Sequence, residues 1–185
     1  MPRRPPPVTA SSLDRDAERY LLRYNASVGH LRRLLMHRVK RSARDHGTDL
    51  EKASVWVDTT LNRLVSQRAL DDAAFATMTA ETLWRRGKAL GAVRVALRAK
   101  GLAAPEVEAA LAALRHQSAT PDLEAAITLA RRRRLGPFRG KDRADYRRRD
   151  LAVLGRAGFA PDVARRVIDA TDEDALRTLV EDGGS

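Results

Sequence analysis

The chain has 185 residues, of which 43% are hydrophobic but only 4% aromatic, and its formal net charge is +11. It contains no cysteine, which excludes disulfides, thiolate metal sites and thiol catalysis and fits a reducing compartment. No apolar run approaches the roughly 18 residues of a membrane span, and a charge this large points to a polyanionic partner or an acidic protein surface.

A core drawn from Leu, Val and Ala, with few aromatics, favours helix over sheet, so the expected fold class is all-α. The opening MPRRPPPVTASS has basic residues but no apolar signal core behind them. Residues 1–14 therefore read as a disordered, basic, proline-rich tail. The pattern then turns helical, with Ala17, Tyr20, Leu21 and Tyr24 at the i, i+3, i+4, i+7 spacing of one face. Ser27 is the predicted N-cap of a second helix carrying Leu31, Leu34, Leu35 and Arg38. The polar stretch RVKRSARDHGTDLEKAS contains Gly47 and predicts a loop or an extended helix end somewhere from residue 41 to 52. A third helix carries Val57, Leu61, Leu64 and Val65.

The next segment, ALDDAAFA (69–76), places two aspartates side by side. Asp71 suits an N-cap, because its carboxylate can accept hydrogen bonds from the free amides of a first turn. Asp72 then falls in that turn, where negative charge suits the helix dipole. Phe75, Met78, Thr79 and Thr82 are expected to continue the buried face. This accounts for the pair structurally. A metal or acid–base role needs further ligands, and the neighbouring sequence offers none.

Gly87 and Gly91 bracket a short connection. A helix from about residue 89 to 100 follows and ends at Gly101, a good C′ residue. Pro105 opens the next helix with Glu106 beside it, and Val107, Ala110, Leu111 and Leu114 form its apolar stripe. Thr120 and Pro121 open another, with Leu123, Ala126, Ile127 and Ala130 on one face.

Charge is concentrated beyond that point. Residues 131–149 hold ten basic residues against two acidic ones, a net +8 of the chain's +11, whereas the sequence from Asp169 onward is acidic. Most charge runs are solvated surface, but this concentration points to binding.

An internal repeat also emerges. LRAKGLAAPEVEAAL (97–111) lies over LGRAGFAPDVARRVI (154–168) with one deletion, matching Leu97 to Leu154, Gly101 to Gly158, Pro105 to Pro161 and Val107 to Val163. A weaker echo, lacking the glycine, is LRRLLMHRV at 31–39. The expected architecture is an elongated array of three tandem three-helix modules. These span residues 15–68, 69–117 and a basic third module at 118–171, followed by an acidic tail at 172–185.

These residues carry a family resemblance. Leu70, Asp71, Asp72 and Phe75 resemble the Leu-Asp-Asp…Phe-Ala motif of the RecX family, regulators of the RecA recombinase. Residues 97–102, ending in Lys100-Gly101-Leu102, resemble its Lys-Gly-apolar motif. Residues 20–40 are similar to its first module, although the second helix there ends in Arg-Val rather than Lys-Gly. Residues 132–158, ending in Ala157-Gly158, resemble the third module of the family's alphaproteobacterial branch. The resemblance covers about residues 15–171. It implies a helical, non-enzymatic protein without metal or cofactor, cytoplasmic and nucleoid-associated when bound. It further implies binding along the RecA filament on single-stranded DNA, with inhibition of ATP hydrolysis, strand exchange and filament growth.

The residues expected to meet RecA or DNA are Arg131, Arg132, Arg133, Arg134, Arg139, Arg147, Arg148 and Arg149. Arg85, Arg86, Arg94, Arg98 and Lys100 join them from the middle module. Contiguous arginines point around a helix, so only some can face a partner, and Arg131 and Arg134 also lie near the Ala130 face as candidate core-edge residues. The alternative is a general basic nucleic-acid-binding protein acting on single-stranded or double-stranded DNA. Against it, Trp56, Trp84, Phe138 and Tyr146 are scattered rather than arranged as stacking platforms. Trp56 and Trp84 read as packing residues, and Phe138 as the candidate for exposure. An enzyme is disfavoured: His30, His37, His46 and His116 are dispersed, and RRGKALG (85–91) lacks the glycine spacing and preceding strand of a phosphate loop. Nothing in the sequence demands more than a monomer.

Overall fold

The structure is a computed structural model that describes residues 5–183. Ten α-helices and one 3₁₀ turn, with no strand, make up the described residues, so the all-α expectation holds. The chain divides into two compact units.

The first unit comprises Met1–Phe75 together with Lys100–Leu102. Its helices are α1 (Ala10–Leu21), α2 (Val28–His46) and α3 (Leu50–Ser66). Residues 10–14, expected in a tail, form the start of α1. Thr9 and Ser12 close a reciprocal capping box there, which satisfies two otherwise free amides. Val8 anchors the approach: it is buried, and its amide donates to Ser42 Oγ at 3.0 Å. Residues 1–4 of the expected tail lie outside the described residues. The polar stretch after Arg38 stays helical to His46, because Val39 and Ser42 keep a buried face. Gly47 then ends the helix in the left-handed conformation, φ +68°, and Asp49 caps α3 two residues on. Leu13, Leu31, Leu35, Val57, Leu61 and Leu64 form the core, whereas Val65, expected beside them, is exposed. Across α1 and α3, Asp14 accepts from Thr60 Oγ1 at 2.8 Å and from Arg63 at 3.0 Å.

Helix α4 (Asp72–Arg85) begins in this unit. Asp71 Oδ1 accepts from the Ala74 amide at 2.9 Å, the capping role read from the sequence. Asp72 does something the sequence did not reveal. Its Oδ1 accepts from the Val28 amide at 2.8 Å, so it caps α2, alongside Ser27, whose hydroxyl oxygen accepts from His30 at 3.1 Å. The Ser27 hydroxyl in turn donates to the Lys100 carbonyl. Gly101 follows at φ +87° with its backbone against Gly29, and a Cβ on Gly29 would run into the Gly101 carbonyl oxygen. The Gly101 position thus demands glycine for both conformation and close approach.

The second unit, Ala76–Ala99 with Ala103–Ser185, contains the rest of α4 and α5 (Leu90–Ala99), α6 (Ala104–Gln117) and α7 (Pro121–Arg133). A 3₁₀ turn (Gly136–Phe138), α8 (Arg143–Arg156), α9 (Pro161–Asp169) and α10 (Glu173–Asp182) complete it. The buried face of α4 is Ala76, Ala80 and Trp84, with Met78 and Thr82 exposed. The expected face is therefore rotated: Ala76 and Ala80 go in, and the longer Met78 points outward. Trp84 Nε1 donates to the Pro121 carbonyl at 2.8 Å. Asp122 Oδ1 accepts from the Leu90 amide at 2.7 Å, capping α5 as Asp72 caps α2. Val107, Ala110, Leu111 and Leu114 of α6 are buried as their spacing predicts. Gly158 repeats the left-handed turn of Gly101, at φ +92°.

The expected acidic tail is mostly helix. Asp172 caps α10 through the Ala175 amide at 2.8 Å, and Leu176 is buried where α10 meets α7. A single apolar anchor at helical spacing within an acidic run gives little sequence signal. No helix among the described residues is long and apolar enough to cross a membrane.

Candidate polyanion interface

The structure sorts the basic residues into those already engaged and those left open. Arg94 grips Glu108 with two bonds, at 2.8 and 3.0 Å, and the Arg94 bonds hold the Glu108 carboxyl below its usual range. Arg147 grips Asp169 with two bonds of 2.7 Å, and that pairing lowers Asp169 likewise. Arg139 clasps Asp150 at 2.7 and 3.2 Å and lies 4.2 Å from the centre of the Tyr146 ring. Asp150 is 1% exposed and also accepts from the Gly136 amide at 2.9 Å. This buried carboxylate therefore ties the 3₁₀ turn to α8, and Arg139 neutralises it. Arg131 pairs with Glu173 at 3.0 Å and covers the half-buried Phe138 ring at 5.2 Å. Arg85 pairs with Glu81 one turn earlier, and Arg143 donates to the carbonyls of Ile168, Ala170 and Thr171 at the end of α9. Lys100 belongs to the first unit, where its ammonium sits 5.7 Å from the Phe75 ring.

Arg133, Arg134, Arg148 and Arg149 are exposed, and their side chains engage no partner among the described residues. Arg86 and Arg98 are also exposed. About half of the predicted set thus serves intramolecular pairing.

What the second unit does bring together is a basic cleft. It is lined by the apolar Leu129, Val153 and Ala157 together with Gly87, Lys88, Arg132, Arg133 and Arg156, enclosing about 220 Å³ with no acidic side chain in the lining. Arg132 is held in place by donating to the Arg86 carbonyl at 3.0 Å. Gly87, at φ +74°, lets the α4–α5 turn press onto α7, since a Cβ there would stand 2.8 Å from the Leu129 amide nitrogen. Arg133 and Val153 also line an adjoining cleft of about 380 Å³, completed by Leu135, Arg139, Tyr146, Arg149 and Asp150. Cations crowded on low-dielectric walls focus positive potential into the groove, an arrangement that suits phosphates or clustered carboxylates.

Lys88, Arg156 and Tyr146 were not among the predicted site residues. Lys88 sits in the RRGKALG segment set aside as a failed phosphate loop, and Arg156 in the repeated LGRAGF turn. A marker common to both, a basic residue beside a glycine turn, was visible but had no spatial meaning without the fold. Trp56 and Trp84 are packing residues as read, the first half-buried with Lys52 over its ring at 5.8 Å and the second 9% exposed. No cluster of metal-ligating side chains occurs among the described residues.

Residues 71–111 match the family description "RecX, second three-helix domain". The chain is 39% identical to the regulatory protein RecX of Myxococcus xanthus over 171 residues, covering 91% of this chain and 90% of that one. It is 35% identical to the regulatory protein RecX of Agrobacterium fabrum over 109 residues, 58% of this chain and 56% of that protein. Two solved structures share the fold at a TM-score of 0.61 each. A crystal structure of regulatory protein RecX is 21% identical and aligns with 86% of this chain and 71% of its own. That of RecX from Lactobacillus salivarius is 17% identical, with coverages of 88% and 96%. With sequence identity running nearly end to end into a RecX regulatory protein and the second RecX domain matched on α4 to α6, this chain belongs to the RecX family, a family of regulators and not of enzymes.

Proposed function

We propose that this protein binds the RecA–single-stranded DNA filament and restrains it, chiefly by inhibiting ATP hydrolysis, strand exchange and filament growth. The observation that carries the reading is the 39% identity with a RecX regulatory protein over 91% of the chain. The regulator acts by differential binding: a protein that holds one filament geometry more tightly than the others slows a cycle that must pass through all of them. The open cations of the second unit supply the attraction to phosphate or acidic protein, and the intramolecular arginine pairs hold the scaffold that presents them. The protein acts in the cytoplasm, at the nucleoid when bound, as a monomer.

A second reading is direct binding to DNA without RecA, favoured by the net +8 of residues 131–149. Titrating the protein into RecA's DNA-dependent ATP hydrolysis, beside a titration onto the same DNA alone, separates the two. Filament binding predicts suppression well below one regulator per recombinase, at concentrations too low to coat the DNA. Suppression that appears only once the DNA is saturated establishes the second reading instead.

A further inference from the structure

We infer that the paired clefts of the second unit form a nucleotide-unit site selective for unpaired strand: the smaller cleft takes a backbone phosphate and the larger one an unstacked base. This rests on the filament reading above and deepens it by assigning the DNA strand, rather than the recombinase surface, as the direct ligand of these clefts.

The two clefts are chemically unlike and contiguous. The smaller is lined by Lys88, Arg132, Arg133 and Arg156 without an acid, at about 220 Å³. That lies below the roughly 300 Å³ of a site for a whole small molecule, so it suits a compact anionic group. The larger, about 380 Å³, has the Tyr146 ring with Leu135 and Val153. Its one acid, Asp150, is spent on Arg139 and the Gly136 amide, leaving Arg133 and Arg149 as open charge. Arg133 and Val153 border both, so a phosphate at Arg133 places the attached nucleoside beside Tyr146. The Arg139 guanidinium lies over the ring, 4.2 Å from its centre, covering one face and fixing it, and bases stack on both tyrosine rings and guanidinium planes. In a duplex the faces of every base are already covered by its neighbours, so only unpaired strand can present one. The tyrosine that looked isolated in the sequence is therefore placed where a stacking residue is needed.

The test uses the full chain and a short fluorescent oligodeoxynucleotide, single-stranded or annealed to its complement, at one salt concentration. The expected result is preference for the single strand. Tyr146→Ala should lower single-strand affinity about ten-fold and barely alter duplex affinity, while Tyr146→Phe retains binding. Arg133→Ala should weaken both forms and flatten the salt dependence by about one counterion. Equal loss for both forms in Tyr146→Ala, or no loss for either, overturns the inference. So does displacement of the strand by a mononucleotide at comparable concentration, which would make this a free-nucleotide site. Unchanged oligonucleotide binding by Tyr146→Ala with recombinase suppression intact removes this inference and leaves the filament reading standing. Tyr146-dependent strand binding without any recombinase suppression by the wild-type protein does the opposite.

Discussion

Asp71 and Asp72 are adjacent, carry the same functional group and do different jobs. Asp71 caps its own helix through the Ala74 amide, and Asp72 caps α2 through the Val28 amide. Asp71→Ala should cost about 1 kcal/mol in urea unfolding and abolish no catalytic activity. Asp72→Ala should cost more, up to about 3 kcal/mol, because it strands a part-buried amide that water reaches poorly. Equal losses would mean that Val28 is solvated and the cross-cap is incidental. Gly101→Ala should be worse tolerated than an alanine at Gly91, where a Cβ meets nothing within 4 Å. At Gly101 the φ of +87° and the backbone of Gly29 both resist it, so at least about 1 kcal/mol should be lost. The capping role of Asp71 was legible because N-capping is local, within three residues. The role of Asp72 was not, since its partner lies 44 residues away.

Helix starts and stops were largely legible for the same reason: Ser27, Pro105, Pro121 and Gly101 act on their own turns. The faces were less so. In α4 the sequence offered Phe75 and Met78 as buried anchors, but the helix buries Ala76, Ala80 and Trp84, because tertiary surroundings, which apolar spacing does not encode, decide which face goes in. Helix α10 was missed for a related reason, since its docking depends on Leu176 and on pairing to Arg131. Near that docked segment, Asp169 is held below the ordinary carboxylate range by its bonds to Arg147, and Asp172 by the amide of Ala175. Depressed folded-state values mean the stabilisation is complete above the unfolded carboxylate range, about pH 4. It fades as pH falls through the lower folded values. Wild type should therefore exceed Asp169→Asn in stability at neutral pH, and the gap should close as the solution is acidified below about pH 4, read by denaturant unfolding at each pH. A gap that widens on acidification would contradict the assigned pairing.

For the molecule as a whole, the excess of positive charge was legible, but its use was not. Composition counted the arginines of 131–149 as one patch. Folding commits Arg131, Arg139, Arg143 and Arg147 to partners within the chain. It then recruits Lys88 and Arg156, from 43 residues before and 7 residues after that run, into the cleft with Arg132 and Arg133. Such a convergence depends on tertiary packing of the α4–α5 turn, α7 and α8, which no local pattern encodes. The proposed restraint of RecA works through this open charge. The most direct measurement is RecA's DNA-dependent ATP hydrolysis titrated with wild type and with Lys88→Glu/Arg133→Glu/Arg156→Glu, a variant that spares every intramolecular ion pair named above. The expected result is substoichiometric suppression by the wild type and, for the variant, at least about a ten-fold higher concentration for the same effect, reflecting the lost charge contacts. Equal suppression by the two folded proteins would contradict it.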